Sequence, residues 1–505
     1  MNKTSIICSF SLLSTVVVSC DERKISKRPN IIYILADDMG YGDVSAFYPK
    51  GKITTPHIDR LTSQGIHFTD AHASASVSTP SRYGILTGSY AWRYLPTSGA
   101  GIRGYGPPLL DSSKLTVASL LKGKGYTTAV IGKWHLGLDW QMKDGREFSD
   151  LRPRMKDGIL VTESAADIID FSKPPKNGPL KFGFDCSYIL PASLDFDPYC
   201  YLRNDTLTAP ITRFTEGNDL DTDATEAFWR PGPVAEDFDI RDALPNFTRQ
   251  AVQYIHEKAA KKQPFFLYFP MPSPHTPWLP SGEFTGASGA GKYGDYAAMT
   301  DYMVGQILQA VKNAGIEENT IIFFTSDNGP YWRANRIEKY GHRSAGDFRG
   351  MKADAWEGGH RVPFIVKWTG HIKAGSVSDA LTSHVNLMAT VADVVSFDPA
   401  RLTCKDSYSI LPVLLGKSTE VPNQKAIVHH SSRGIFAVRT SVWKLIQGKG
   451  SGGGSTSAAE DALMQEEGQL YNMNNDPSET NNLYSTRKDI VQNLSKLLED
   501  IKNQL

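Results

Sequence analysis

Two pairs of oxygen-bearing side chains stand just after two apolar runs. Asp37-Asp38 follows Ile31-Ile-Tyr-Ile-Leu35, and Asp327-Asn328-Gly329 follows Thr320-Ile-Ile-Phe-Phe324. Carboxylate and amide oxygens suit a hard cation, and no His adjoins Asp327, which disfavours a nitrogen-rich zinc site. The same residues also make ordinary turns, Asp-Asp before Met39-Gly40 and Asp-Asn before Gly329-Pro330. Gly132-Lys133-Trp134-His135 follows a third apolar run. A Lys and a His two apart on extended backbone face one pocket, although a surface Lys beside a packed His reads equally simply. Pro274-His275-Thr276-Pro277 follows a fourth run, where His275 is either a proton donor or a ring fixed between prolines. Ser78-Thr-Pro-Ser-Arg82 sets a hydroxyl and a guanidinium one helical turn apart, and Ser78 also fits the N-cap of a helix with Pro80 and Ser81 in its first turn. Together these residues offer a cation site, cationic donors and an acid, which is what attack on an anionic ester requires.

The elements that must position them alternate. Residues 31–35 form a continuous apolar run, as expected of a strand buried on both faces. Residues 117–124 read as helix and 126–131 as strand; 245–262 as helix and 265–269 as strand; 296–313 as helix and 320–324 as strand. That rhythm predicts an α/β fold with helices on both faces of a sheet, and such sheets carry their sites at strand ends. Residues 141–244 break the rhythm with Asp, Pro, Arg and aromatic residues, and read as long insertions over the sheet edge that carry binding residues. After about residue 412 come short strands at 426–430, 434–439 and 442–447, a Gly/Ser-rich loop at 448–457, a turn-ended strand near 470 and a final amphipathic helix at 489–504. The expected division is a signal segment at 1–19, a catalytic domain at 20–412 and a C-terminal subdomain at 413–505.

The chain has 505 residues, with 54 basic against 54 acidic side chains and no basic tract, so nucleic acid has no electrostatic footprint here. Lys3 and the short apolar run 6–18 form a targeting segment too short to span a bilayer. It ends Val17-Val18-Ser19-Cys20 before the charged run Asp21-Glu-Arg-Lys24, and resembles a bacterial lipobox. Cleavage before Cys20 with lipidation is the expected outcome, an ordinary secretory signal the alternative. Of five cysteines, Cys186 and Cys200 flank a short segment and pair or stay free; the sequence leaves both open.

The run Ser78-Thr-Pro-Ser-Arg82, continuing Tyr-Gly-Ile-Leu86-Thr-Gly88, resembles the signature of type I sulfatases of the alkaline phosphatase superfamily. The resemblance extends to Leu470-Tyr471, Asn475-Asp-Pro477 and Asn482-Leu483. It implies an alkaline-phosphatase-like sandwich, a large mixed central sheet flanked by helices, with a smaller C-terminal α+β subdomain. It implies that Ser78 is oxidised to formylglycine, whose hydrate is the nucleophile, and that Asp37, Asp38, Asp327 and Asn328 bind Ca2+ together with residue 78. By the same resemblance Lys133 and Lys352 hold the sulfate, His275 protonates the leaving alcohol and His135 helps release sulfate and restore the aldehyde; Arg82, one helical turn after Ser78, can point at the same site. A serine at position 78 implies a radical, anaerobic maturing enzyme as a transient partner, and with the lipobox a lipid-anchored protein of the cell envelope of an anaerobic Gram-negative bacterium. Ser89-Tyr-Ala-Trp-Arg93 and Pro191-Ala-Ser-Leu-Asp195 are similar to bacterial carbohydrate sulfatases, including those acting on 6-O-sulfated galactose or N-acetylgalactosamine. Asp195, Trp278, His342 and His430 are candidate sugar contacts. Two further readings are a phosphomonoesterase or phosphonate hydrolase of the same superfamily, against which the lack of a histidine-rich zinc set argues, and a non-enzymatic glycan-binding surface lipoprotein, against which the full set of catalytic positions argues.

Overall fold

A computed structural model describes residues 28–95, 101–146, 154–156, 159–161, 165–218 and 227–504. The expected signal segment and Cys20 lie outside the described residues. The apolar run at the start pairs on both sides: β1 (Asn30–Ala36) is wholly buried between two parallel neighbours. Among the described residues the full sheet has ten strands. In chain order these are β1, β2 (Ile66–Phe68), β3 (Thr127–Lys133), β4 (Cys186–Leu190), β5 (Leu202–Arg203), β6 (Thr206–Leu207), β7 (Phe265–Pro270), β8 (Thr320–Ser326), β9 (Phe364–Trp368) and β10 (Ser376–Ser378). Their spatial order is β6-β5-β4-β3-β7-β1-β8-β9-β2-β10. Strands β4, β3, β7, β1 and β8 run parallel, while β5 and β9 pair antiparallel at either side, which makes the sheet mixed.

Helices pack in two groups. In one, α5 (Gly291–Asn313) touches both α1 (Pro56–Gln64) and α4 (Ala243–Ala260); in the other, α2 (Ser78–Thr87), α3 (Val117–Gly123) and α6 (Asn386–Val394) touch one another. Central strands buried on both faces require such cover. A second sheet, β11 (Ile427–His430), β12 (Phe436–Arg439), β13 (Trp443–Ile446) and β14 (Gln469–Asn472), is antiparallel and carries α7 (Lys488–Lys502) on one face. Val428, Val438, Leu445 and Leu470 form its core with Leu494 and Leu498 of α7.

The structure revises the reading of one segment and adds two findings. The segment 141–244 is more than a cover over the sheet edge, because β4, β5 and β6 extend the main sheet from β3. Its polar composition concealed one short apolar strand, Cys-Ser-Tyr-Ile-Leu. The Gly/Ser-rich stretch at 448–457 is packed, with Ser451 fully buried. Cys186, Cys200 and Cys404 are free thiols.

Candidate active site

The five parallel strands deliver their C-terminal ends to one place, as open α/β sheets do. Asp37 and Asp38 leave β1, Asp327 and Asn328 leave β8, Lys133 closes β3 with His135 beyond it, and His275 follows β7. Asp38 and His135 have φ of +66° and +57°, a left-handed conformation that costs energy for a residue with a Cβ.

Ser78 opens α2 but does not cap it. Val77 holds the cap position, so the Ser78 hydroxyl is free to turn inward. Its Oγ lies 2.5 Å from Asp327 Oδ2, 3.1 Å from Asp37 Oδ1 and 3.5 Å from Asn328 Oδ1. One turn later, Arg82 donates from Nη2 and Nε to Asp327 Oδ2 at 2.8 and 3.1 Å, and from Nη1 to the Lys133 carbonyl. Lys133 Nζ donates to Asp37 Oδ2 at 2.5 Å and Ser193 Oγ at 3.2 Å. Lys352 reaches the Asp38 carboxylate at 2.7 Å, and Asn328 Nδ2 donates to Asp38 Oδ1 at 2.7 Å. The structure therefore gathers every residue expected for the metal, the nucleophile and the sulfate donors.

Three carboxylates here face three cations. Burial opposes ionisation of Asp37, yet Lys133, His275 and Arg82 hold it well below the usual carboxylate range. Burial and the neighbouring Asp37 charge push Asp327 up. Against its burial, Asp38 and Asp37 hold Lys352 above an ordinary lysine. Burial, with Lys133 and Arg82 nearby, keeps the His135 imidazole far below its usual pKa and so neutral. Both His135 ring nitrogens are buried with no hydrogen-bond partner. An orphaned polar ring beside a nucleophile is costly unless a ligand completes it.

His275 Nδ1 lies 2.6 Å from the Thr276 carbonyl, which can only accept, so Nδ1 carries a proton. Its Nε2 faces Asp38 Oδ2 at 3.6 Å, and its Nδ1 side faces Asp195 Oδ1 at 3.8 Å. Asp195 is held through Oδ2 by Arg230 at 2.7 Å, while Oδ1 is buried without a hydrogen bond. Arg230 lies over the Phe196 ring at 4.2 Å. Two residues here escaped the sequence reading. Ser193, which bridges Lys133 and His275, lay inside the quoted Pro191-to-Asp195 run; Arg230, from an irregular segment, gave no signal.

The remaining sugar candidates sit differently. His342 is fully buried, its Nε2 2.7 Å from Asp43 and its Nδ1 accepting from the Lys52 amide, so neither nitrogen is spare for a sugar. Trp278 is 4% exposed, edge-on to Tyr293 and under the Arg336 guanidinium, a core position rather than a sugar platform. His430 is 1% exposed; its Nδ1 lies 3.0 Å from the Ser431 carbonyl, its Nε2 is buried without a hydrogen bond, and its own carbonyl accepts from Ser76 N and Oγ.

Two groups of side chains among the described residues have metal-ligating spacing. One is Asp37, Asp38 and His275, where the oxygen donors of Asp327 and Asn328 also converge. The other, His72, Glu357 and His360, already holds a cation: buried Lys444 Nζ lies 3.0 Å from both Glu357 and His360. The first fits a hard divalent ion, since its donors are mostly carboxylate and amide oxygens. With the local charges balanced, such an ion leaves the site positive toward an anionic ester.

Comparison with known proteins agrees with this geometry. The family model described as Sulfatase matches residues 29–397, and one described as N-sulphoglucosamine sulphohydrolase, C-terminal, matches 351–504. The chain belongs to the sulfatase family and is a sulfuric ester hydrolase. It is 32% identical to an N-acetylgalactosamine-6-O-sulfatase of Bacteroides thetaiotaomicron, over 96% of each chain. It is 31% identical to human arylsulfatase A over 95% of this chain and 89% of that one. A solved Bacteroides thetaiotaomicron protein, described under the metabolism of multiple glycosaminoglycans, superposes with a TM-score of 0.79 at 30% identity, covering 95% of this chain and all of that one (100%).

Proposed function

We propose that this enzyme removes sulfate from 6-O-sulfated galactose or N-acetylgalactosamine units of host or algal glycans, with formylglycine made from Ser78 and one Ca2+. The observation that carries the reading is the placement of Ser78 Oγ, within 3.5 Å of Asp37, Asp327 and Asn328 and one turn before Arg82. The likeness to an N-acetylgalactosamine-6-O-sulfatase along nearly the whole chain supports the sugar. Asp37, Asp38, Asp327 and Asn328 would hold the ion. Bound there, Ca2+ supplies positive charge for the sulfate oxygens.

This chain's residues do the rest. Lys133, Lys352 and Arg82 neutralise the sulfate while a hydroxyl on residue 78 attacks sulfur in line and passes its proton to Asp327, whose Oδ2 lies 2.5 Å from Ser78 Oγ. His275 gives a proton to the sugar oxygen as its bond to sulfur breaks. Neutral His135 then takes the proton of the second hydroxyl on residue 78, so that sulfate departs and the aldehyde returns; water restores the hydrate. A plain serine lacks that second hydroxyl and would need to hydrolyse its own sulfate ester. Asp195, with its bare Oδ1 facing His275, is the sugar contact this reading retains. The same reading lipidates Cys20 for anchorage in a bacterial envelope and assigns maturation to an anaerobic oxidising enzyme. Among the described residues, no helix is long and apolar enough to cross a membrane.

Two outcomes follow. Chelation is expected to abolish turnover and Ca2+ to restore it, measured with metal analysis of the active protein; stoichiometric zinc in that protein would refute the Ca2+ assignment. Matured enzyme, assayed on 6-sulfated galactose, N-acetylgalactosamine and N-acetylglucosamine, is expected to prefer the galacto sugars by about 10²-fold or more in kcat/KM, because polar groups built for one epimer go unpaired with the other. Preference for N-acetylglucosamine 6-sulfate, or for a 2-, 3- or 4-sulfate, would overturn the substrate while leaving the sulfatase intact.

A further inference from the structure

Lys352 rides on an irregular turn, residues 349–356, that has no strand or long helix to stiffen it. Its neighbour Ala353 has φ of +80°, a conformation that persists in a residue with a Cβ only when the surroundings impose it. Those surroundings come from three directions, one of them the Pro330 carbonyl, which accepts from the Lys352 amide at 2.8 Å. The Ala353 amide donates to the Ser76 carbonyl at 2.8 Å, two residues before the nucleophile, and the Ala353 carbonyl accepts from the Ser432 amide at 2.8 Å. Asp354 is fully buried; its Oδ2 accepts from the Met351 amide at 2.9 Å and its Oδ1 from the Ser455 amide at 3.0 Å, and the Ser455 hydroxyl donates to Oδ2. The Ala355 amide donates to the Ser451 carbonyl at 2.7 Å.

At Ala353 and Asp354 the contacts from the far side come from Ser432 and Ser455, and with Ser451 most belong to the Gly/Ser-rich stretch that reads in the sequence as a loop; Arg349, Ala355 and Trp356 also reach Glu479, His429 and Gln469. The stretch is internally braced: Ser451 Oγ accepts from the Gly453 amide at 3.0 Å and from the Thr456 amide at 3.1 Å. It also fits closely. A Cβ on Gly453 would lie 2.1 Å from the Ala353 carbonyl oxygen. Glycine there is what lets one backbone lie on the other.

We propose that this stretch, through Ser455 and Asp354, is a positioning device that sets the Lys352 ammonium against the sulfate site. The proposal rests on the reading of Lys352 as a sulfate donor. It gives the C-terminal sheet a part in catalysis without any residue of that stretch touching substrate. Ser455 and Asp354 are positioning residues; Lys352 is the catalytic residue they serve.

A double-mutant cycle on the full, matured chain tests this, with 4-nitrophenyl sulfate as the probe and kcat/KM and Tm as readouts. Ser455→Ala is expected to lower kcat/KM about ten-fold in the parent and less than about two-fold in Lys352→Ala, because the lost placement no longer matters. Ser455→Thr, which keeps the hydroxyl, is expected to stay within about two-fold of the parent. Equal losses in both backgrounds would overturn the proposal and make the stretch general scaffolding. A Lys352→Ala variant with undiminished kcat/KM would instead remove the underlying role of Lys352. Should Ser455→Ala fail to fold, Asp354→Asn enters the same cycle with the same expected outcomes.

Discussion

Ser78→Ala is expected to lower turnover of every sulfate ester by about 10⁴-fold or more while the fold survives. Loss of a nucleophile that works with a base removes effects of that size, and the remainder comes from binding and electrostatics. The fold should survive because the acids that Ser78 touches have other partners: Arg82 holds Asp327 through two nitrogens, and Lys133 holds Asp37. A Tm within a few degrees of the parent is therefore part of the prediction. The companion measurement is the mass of the tryptic peptide ending at Arg82, from protein purified from its native host. Oxidation of the Ser78 hydroxymethyl to an aldehyde removes two hydrogens, about 2 Da. Active protein carrying only unmodified serine there would overturn the formylglycine assignment, whatever the alanine variant does.

His275→Ala should separate two kinds of substrate. A sugar alkoxide is a poor leaving group and needs a proton as the bond to sulfur breaks; a nitrophenolate does not. General acid assistance contributes about 10²–10⁴-fold, so the variant is expected to lose that much on a sugar sulfate and less than about ten-fold on 4-nitrophenyl sulfate. The geometry supports the role. The Thr276 carbonyl fixes the ring through Nδ1, which leaves Nε2 as the face toward the site, beside Asp38 at 3.6 Å. Equal losses on both substrates would take His275 out of the acid role and point to a part in holding Asp37 and Asp38.

Much of this site is legible in the sequence because each residue follows a buried strand by a few positions. A strand covered on both faces is a continuous apolar run, and polar residues just beyond it must emerge at one edge of the sheet. That logic located Asp37, Asp38, Lys133, His135, His275, Asp327 and Asn328. It fails where position is set by contacts remote in sequence. Lys352 gave only a resemblance, since its turn is shaped by Ser432, Ser455 and Ser76. His342 and Trp278 looked like sugar contacts because their residue types suit sugars, but Asp43 and Tyr293 claim them for the interior. The strand β4 escaped notice because its few residues sit inside a long polar insertion, where composition outweighs a short apolar run. Arg230 is placed by Asp195 and the ring of Phe196, and a pairing across so many residues leaves no local trace.

All ten residues of α2 are buried, and Ser78 is only 5% exposed. An enzyme that oxidises position 78, as proposed, must reach that side chain, and in the folded protein Asp37 and Asp327 hold the Ser78 hydroxyl while the His430 carbonyl holds Ser76 two residues before it. On that proposal, oxidation and folding are rivals for the same newly made chain. A chain that folds first is locked out of the modification, well ordered and inert. The specific activity of a preparation then reports a ratio of two rates during synthesis, and slower production raises it with no change in the folded molecule.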